Sequence, residues 1–142
     1  MPAREDRNVL ACVALRRADV ADAAVTVVVV VPTHELTRPL ARGAEIGDVF
    51  CATAFANHDR RIPLPKFDAY GTWRSDAHPA PRLAEALGLK SGPVSTGNSL
   101  DWHELDMRSM SESGAAVKDM EASGVAWACS LHGVPLLALK SV

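Results

Sequence analysis

The 142-residue chain has no surplus of either charge. Fifteen Lys and Arg stand against 17 Asp and Glu, a formal net charge of −2. Nucleic-acid and membrane-surface binding call for a basic face, and no Lys/Arg-rich run is present, so neither is an expected partner. Cysteine is scarce: Cys12, Cys51 and Cys129 are odd in number and far apart, which points to free thiols in a reducing compartment and not to a disulfide framework. The five histidines, His34, His58, His78, His103 and His132, are just as scattered, and none lies at zinc-ligand spacing from a cysteine or another histidine. No metal and no cofactor is expected. The longest apolar run, Ala23 to Val31 with Thr26 inside it, is too short to cross a bilayer. Arg and acidic residues precede it and no small-residue cleavage pattern follows, so a signal peptide is not expected and a cytoplasmic location is. Repeats and low-complexity tracts are missing as well.

What is present is an ordinary globular composition, 48% apolar and 23% charged, in a chain long enough for one domain at most. Residues 1 to 24 mix Arg, Ala and Asp without clear periodicity. Thr26 to Val31 reads as a strand, its five consecutive valines suiting burial on both faces in a parallel sheet. Pro32 ends it, and Thr33 to Arg42 reads as loop or a single helical turn. Gly43 to Asp48 is a turn before a second strand, Val49 to Phe55. His58-Asp59-Arg60-Arg61 reads as a polar loop. Ile62-Pro63-Leu64-Pro65 must be extended, because each proline disfavours the helical region for its predecessor. Pro79 to Leu87 predicts a short helix stopped by Gly88, and Val94 to Leu100 a strand entering a turn at Gly97-Asn98. Glu104 to Ser113 fits a short helix or loop.

The spacing of Val117, Met120, Gly124, Trp127, Ala128 and Leu131 predicts a helix over Ala115 to His132, stopped by Gly133 and followed by a buried strand, Val134 to Val142. Strands alternating with a long loop and a helix indicate an α/β layered fold. Asp119 and Glu121 would then open that helix. Two readings fit them: carboxylates opposing the positive end of the helix dipole, or, since Glu121 sits beside Met120, Ala122 and Gly124, a carboxylate near an apolar face whose partner is a hydroxyl-bearing ligand.

Three motifs stand in order between Ala41 and Val142: GAEIGDVF with HDRRIPLPKFDAYG, then STGNSLD from Ser95 to Asp101, then VKDMEASGVAWACSLHGVPLLALKSV. In these the chain resembles the methylthioadenosine/S-adenosylhomocysteine nucleosidases, the plant-like branch in particular, of the nucleoside phosphorylase superfamily. The resemblance implies an incomplete three-layer α/β/α sandwich with a mixed sheet, in which residues 1–40 are a divergent N-terminal segment with one valine-rich strand and residues 41–142 a partial nucleoside phosphorylase-like domain. It implies hydrolysis of the N-glycosidic bond of methylthioadenosine, and by extension S-adenosylhomocysteine, in methionine salvage. It also implies an adenine nucleoside as ligand and a homodimer as assembly.

By the same resemblance Glu121 accepts hydrogen bonds from the ribose hydroxyls, Met120 packs on the ribose face beside Asp119, Leu100 lies against adenine, and Ile62 belongs to a loop lining the partner subunit's alkylthio pocket. Each also has a plainer reading. Met120 and Leu100 suit core packing, and the His58–Arg61 loop suits a solvated segment with its carboxylate paired to an arginine.

Family members carry three features without counterpart here. One is an acidic Asp after the strand that holds Lys140, which protonates adenine. Another is a Glu in a methionine-acidic motif that activates water. The third is a glycine-rich turn, in whose place PTHELTRPL stands without a glycine. General acid and base groups each contribute about 10²- to 10⁴-fold, so the isolated chain is expected to be inactive. The alternatives are a purine nucleoside phosphorylase of the same superfamily, or a non-catalytic nucleoside-binding, storage-like or dimerising fragment.

Overall fold

The computed structural model describes residues 27–31, 38–39, 44–45, 47–59, 62, 64–67, 73–101 and 103–142. Among these, seven strands form one mixed sheet: β1 (Val27–Val31), β2 (Arg38–Pro39), β3 (Val49–Asn57), β4 (Arg74–Asp76), β5 (Lys90–Thr96), β6 (Val117–Asp119) and β7 (Leu136–Ser141). Three helices accompany it: α1 (Pro81–Ala86), α2 (Glu104–Glu112) and α3 (Ala122–Leu131). The strand path is β1-β7-β3-β5-β6-β2, with β4 paired to β3 beside it.

β3 is the longest strand and the organising one. It runs parallel to β5 from Phe50↔Lys90 to Asn57↔Thr96, antiparallel to β7 over Val49–Cys51, and antiparallel to β4 over Ala54–Ala56. A register shift between Ala52 and Phe55 leaves Thr53 exposed. The irregularity overturns the strict alternation of faces, so that Ala52 and Phe55, three residues apart, join the same core cluster.

The layers follow from the alternation along β7. Leu136 and Ala138 pack with Ala122, Ala126 and Cys129 of α3, whereas Leu137 and Leu139 pack with Leu83 and Ala84 of α1. A strand whose odd and even residues are both buried is covered on both faces, and the result is the expected three-layer α/β/α arrangement around a mixed sheet. The turn before β3 needs its glycine: Gly47 has φ +100°, and its N–H donates to the Val142 carbonyl at 2.7 Å while Val142 N–H donates to Asp48 O at 2.9 Å. This ties the start of β3 to the end of β7.

The main correction concerns the helix expected over Ala115–His132. Val117–Asp119 is a strand, parallel to β5 and antiparallel to β2, and the helix starts only at Ala122. Ladder pairing on both sides of Val117 and Lys118 overrides local helical spacing. Asp119 and Glu121 therefore do not occupy the first turns of a helix; Asp119 closes a strand and Glu121 is the N-cap position of α3.

The buried stripe of α3 is also not the one expected. Ala122, Ser123, Ala126 and Cys129 face the sheet, and Gly124, Trp127, Ala128 and Leu131 are exposed, because small side chains allow the close helix–sheet approach. Its stop at Gly133, φ +63°, is as expected, as is that of α1 at Gly88, φ +61°.

β5 begins four residues before the expected Val94, through Gly92 and Pro93. Gly92 belongs there because a Cβ would stand 2.4 Å from the Ala116 Cβ. β2 lies in a segment read as loop, and β4 was not foreseen. The valine run is a strand parallel to β7, at the end of the strand path among the described residues. Residues 1–26 and most of PTHELTRPL lie outside the described residues. No helix among the described residues is long and apolar enough to cross a membrane.

Leu137 is fully buried between α1 and the sheet. Leu137→Ala is expected to cost about 2–5 kcal/mol, read as a lowered urea midpoint at unchanged m-value. A loss under about 1 kcal/mol would contradict this packing.

Candidate functional site

The parallel strands β3, β5 and β6 end side by side, with Asn57 opposite Thr96 and Thr96 opposite Asp119. In open α/β sheets the space beyond such carboxyl ends is where ligands bind, because loops diverge there and backbone groups point outward. A cleft of about 670 Å³ opens at that place. Its strand-end wall is Asn57, Thr96, Gly97 and Asn98, and its α3 wall is Met120, Ser123, Gly124 and Trp127, with Asp59 and Ile62 completing the rim. A second cavity of about 310 Å³, between Ala77-His78-Pro79 and the end of α3, lies away from these strand ends.

Asp119 sets the floor of the cleft. Its carboxylate has no solvent exposure: Oδ1 accepts from Thr96 Oγ at 2.5 Å, Oδ2 accepts from Ala122 N–H at 3.0 Å, and the equally buried Lys140 ammonium lies 2.7 Å from Oδ2, an ion pair without hydrogen-bond geometry. Thr96 Oγ in turn accepts from Ser123 N–H at 2.9 Å, and Ser123 Oγ donates to the Ala56 carbonyl at 2.7 Å. The first amides of α3 are thus satisfied by side chains from β5 and β6 in place of an ordinary N-cap. Met120 and Glu121 form the short turn between Asp119 and that helix. Glu121 has a side chain 38% exposed, and its Oε2 lies 3.8 Å from Lys140 Nζ.

The loop after β5 has its own supports. His58 is buried, its Nδ1 is 3.1 Å from Ser95 Oγ, and its ring lies against Gly97 so closely that a Cβ there would fall 2.1 Å from Nε2. Burial pushes the His58 pKa down from the usual 6.5, and the nearby Asp59 opposes that only in part. Asp59 Oδ2 accepts from both the N–H of Asn98, at 2.5 Å, and its side-chain amide, at 2.9 Å. Lys118, also buried, donates from Nζ to the carbonyls of Ser99 at 2.6 Å and Leu100 at 3.1 Å.

The family model described as the phosphorylase superfamily matches residues 40–142. The chain belongs to that superfamily. The 5'-methylthioadenosine/S-adenosylhomocysteine nucleosidase of Arabidopsis thaliana is 42% identical over 102 residues, covering 72% of this chain and 40% of the relative. A second Arabidopsis thaliana protein, a 5'-methylthioadenosine nucleosidase, is 44% identical over 101 residues, covering 71% of this chain and 38% of the relative. Among solved structures, an MTA/SAH nucleosidase superposes with TM-score 0.74 and 36% identity over 82% of this chain and 47% of its own. The chain therefore spans about two-fifths of the length of the curated relatives it matches.

Within this superfamily member, the residues singled out from sequence are placed as follows. Met120 and Ile62 both line the cleft, the latter 38% exposed. Glu121 follows Met120 in the turn but is not part of the cleft wall, and Asp119 lies entirely beneath it. Leu100 is 56% exposed and away from the wall, and what the cleft receives from its loop is Gly97 and Asn98. The loop His58–Arg61 is not simply solvated: His58 is buried and the Asp59 partner is Asn98, while Arg60 and Arg61 lie outside the described residues. Sequence reasoning missed Thr96, Ser123 and Asn98. For Thr96 and Asn98 the signal available was the polar run Ser95-Thr96-Gly97-Asn98 that closes β5 and enters the following turn.

A buried histidine with a lowered pKa stays neutral when folded and takes up a proton when unfolded, so its contribution is intact above pH 6.5 and is lost as pH falls below it toward the folded value. Between pH 7.5 and 5.5 the thermal midpoint is expected to fall, and to fall less in His58→Asn, compared by calorimetry across that range. Equal slopes in both proteins would contradict the buried, neutral state of His58.

Proposed function

We propose that the cleft at the ends of β3, β5 and β6 binds an adenine nucleoside, and that the activity it belongs to is hydrolysis of the N-glycosidic bond of methylthioadenosine and S-adenosylhomocysteine, releasing adenine in methionine salvage. The observation that carries the reading is the Met120–Glu121 turn. A thioether on the wall of a strand-end cleft is followed in the turn by a partly exposed carboxylate, above a carboxylate floor that is itself immobilised. Hydrolysis of this bond develops positive charge on the ribose. Glu121 holds the ribose hydroxyls and its negative charge favours the cationic sugar, Met120 covers the sugar face, and Asp119 acts from beneath as the anchor of both. The adenine lies toward Gly97 and Asn98, in the direction of Leu100. The similarity of the chain to two proteins named as nucleosidases supports the choice of nucleoside over other ligands.

The groups present serve binding and charge stabilisation. The proton-transfer groups implied by the resemblance have no motif among these 142 residues, so turnover by this chain alone is expected to stay at background. A phosphorylase reading would need an arginine beside a glycine turn around a phosphate; Gly97 lines the cleft, but no arginine is among its described residues. The exposed apolar side chains Ile62, Leu64, Trp127 and Leu131 flank the cleft and α3, and we read them as the face that meets a second copy in a homodimer. A cytoplasmic setting fits such an enzyme.

Calorimetric titration with a transition-state-like methylthioadenosine analogue checks the assignment. Saturable heat is expected, and Glu121→Gln is expected to weaken binding by about 10- to 100-fold, as for loss of a charged hydrogen-bond partner. Unchanged affinity in that variant would remove Glu121 from the site.

A further inference from the structure

The loop Gly97–Asp101 is gripped by two buried or half-buried charged side chains from different parts of the fold. Asp59, at the end of β3, takes both the main-chain and the side-chain N–H of Asn98 on a single oxygen. Lys118, in β6, takes the next two carbonyls, of Ser99 and Leu100. Beneath the first residue lies the His58 ring, which leaves no room for a Cβ at Gly97, and Gly97 N–H donates to the Asp119 carbonyl at 3.0 Å. Four successive residues are therefore fixed from below, yet Asn98, Ser99 and Leu100 are themselves exposed. Ordinary exposed loops are not held in this way, and burying an ammonium beneath one is costly unless a defined loop geometry follows.

We propose that Lys118 and Asp59 are positioning residues that hold the Gly97–Asp101 loop so that its Gly97–Asn98 end forms the base-side wall of the cleft, and thereby set the affinity for the purine. This rests on the nucleoside reading above. Lys118 is well suited to the task because its amino group, with several donors, bridges two consecutive carbonyls that point to the same side. Burial lowers its pKa from the usual 10.5, while Asp119 and the acidic residues around it, Asp101, Asp106 and Asp59, favour the charged form. The second oxygen of Asp59, Oδ1, is buried without a hydrogen-bond partner. Among the described residues the carboxylate's hydrogen bonds both go to Asn98, through the other oxygen.

Two readouts on the same proteins test this. Hydrogen exchange of the 97–101 amides is compared in the unaltered chain, Lys118→Met and Asp59→Ala, and adenine and methylthioribose are titrated separately by calorimetry. Exchange in the loop is expected to accelerate roughly 10- to 100-fold in either variant, with exchange in β3 and β7 unchanged. Adenine binding is expected to weaken by a similar factor while methylthioribose binding is retained, a split that a general loss of stability would not produce. Unaltered loop exchange in both variants would overturn the proposal, as would equal weakening of adenine and methylthioribose. Should Lys118→Met fail to fold, the partly exposed Asp59 carries the test alone. If the unaltered chain binds neither fragment but the loop still loosens, the nucleoside reading fails and the base-positioning role with it, while the clamp on the loop stands.

Discussion

A carboxylate without solvent exposure, Asp119, joins elements that the sheet path separates. Lys140 reaches it from β7, although β3 and β5 stand between β7 and β6. In a flat sheet three strand spacings would separate them by roughly 14 Å. The 2.7 Å ion pair links β6 and β7 through side chains, across the two strands that stand between them. Burying two charges is costly in itself, and such a pair persists where geometry and further hydrogen bonds compensate it. Here Thr96 and the Ala122 amide supply those bonds. The entry of α3 and the Met120–Glu121 turn that leads into it are both anchored on this one buried group.

This arrangement separates holding from binding. Asp119, Thr96 and Ser123 are hydrogen-bonded internally, Lys140 is ion-paired with Asp119, and together they form the floor. Met120 stands one residue beyond a floor position, and Asn98 and Glu121 two beyond. Residues placed so near an immobile scaffold need little reorganisation when charge develops on a bound sugar, which is the condition for electrostatic stabilisation to be effective. The loop after β5 repeats the pattern with Asp59 and Lys118 as its supports.

The layered architecture was legible because it depends on burial. The valine run, the apolar stretch from Val49 and the end of the chain all read as strands, and glycines at positions 88 and 133 marked the helix ends. The Val117–Asp119 strand was not legible, since its three residues are too few for periodicity and continue smoothly into a helical pattern. Their conformation is set by partners in β5 and β2, far away in sequence. The same holds for the site. The Asp119-Met120-Glu121 motif could be found from sequence, but the division of labour within it could not, because the strand ends at Asp119 and the chain turns through Met120 and Glu121 into α3, so that residues two apart do not share a face as they would within a strand. Asp119 goes inward and Glu121 is left partly open. Leu100 was singled out for its motif, whereas the side chains of Asn98 and Thr96, polar and unremarkable in sequence, are those that the strand end brings to the cleft.

The most direct measurement is a crystal structure of the chain with a methylthioadenosine analogue bound. The account predicts the analogue in the strand-end cleft, ribose hydroxyls at about 3 Å from the Glu121 carboxylate, Met120 against the sugar, and Asp119 still paired with Lys140 below. An analogue seated in the smaller cavity beside His78 and the end of α3, or one in the cleft with Glu121 turned to solvent, would contradict it.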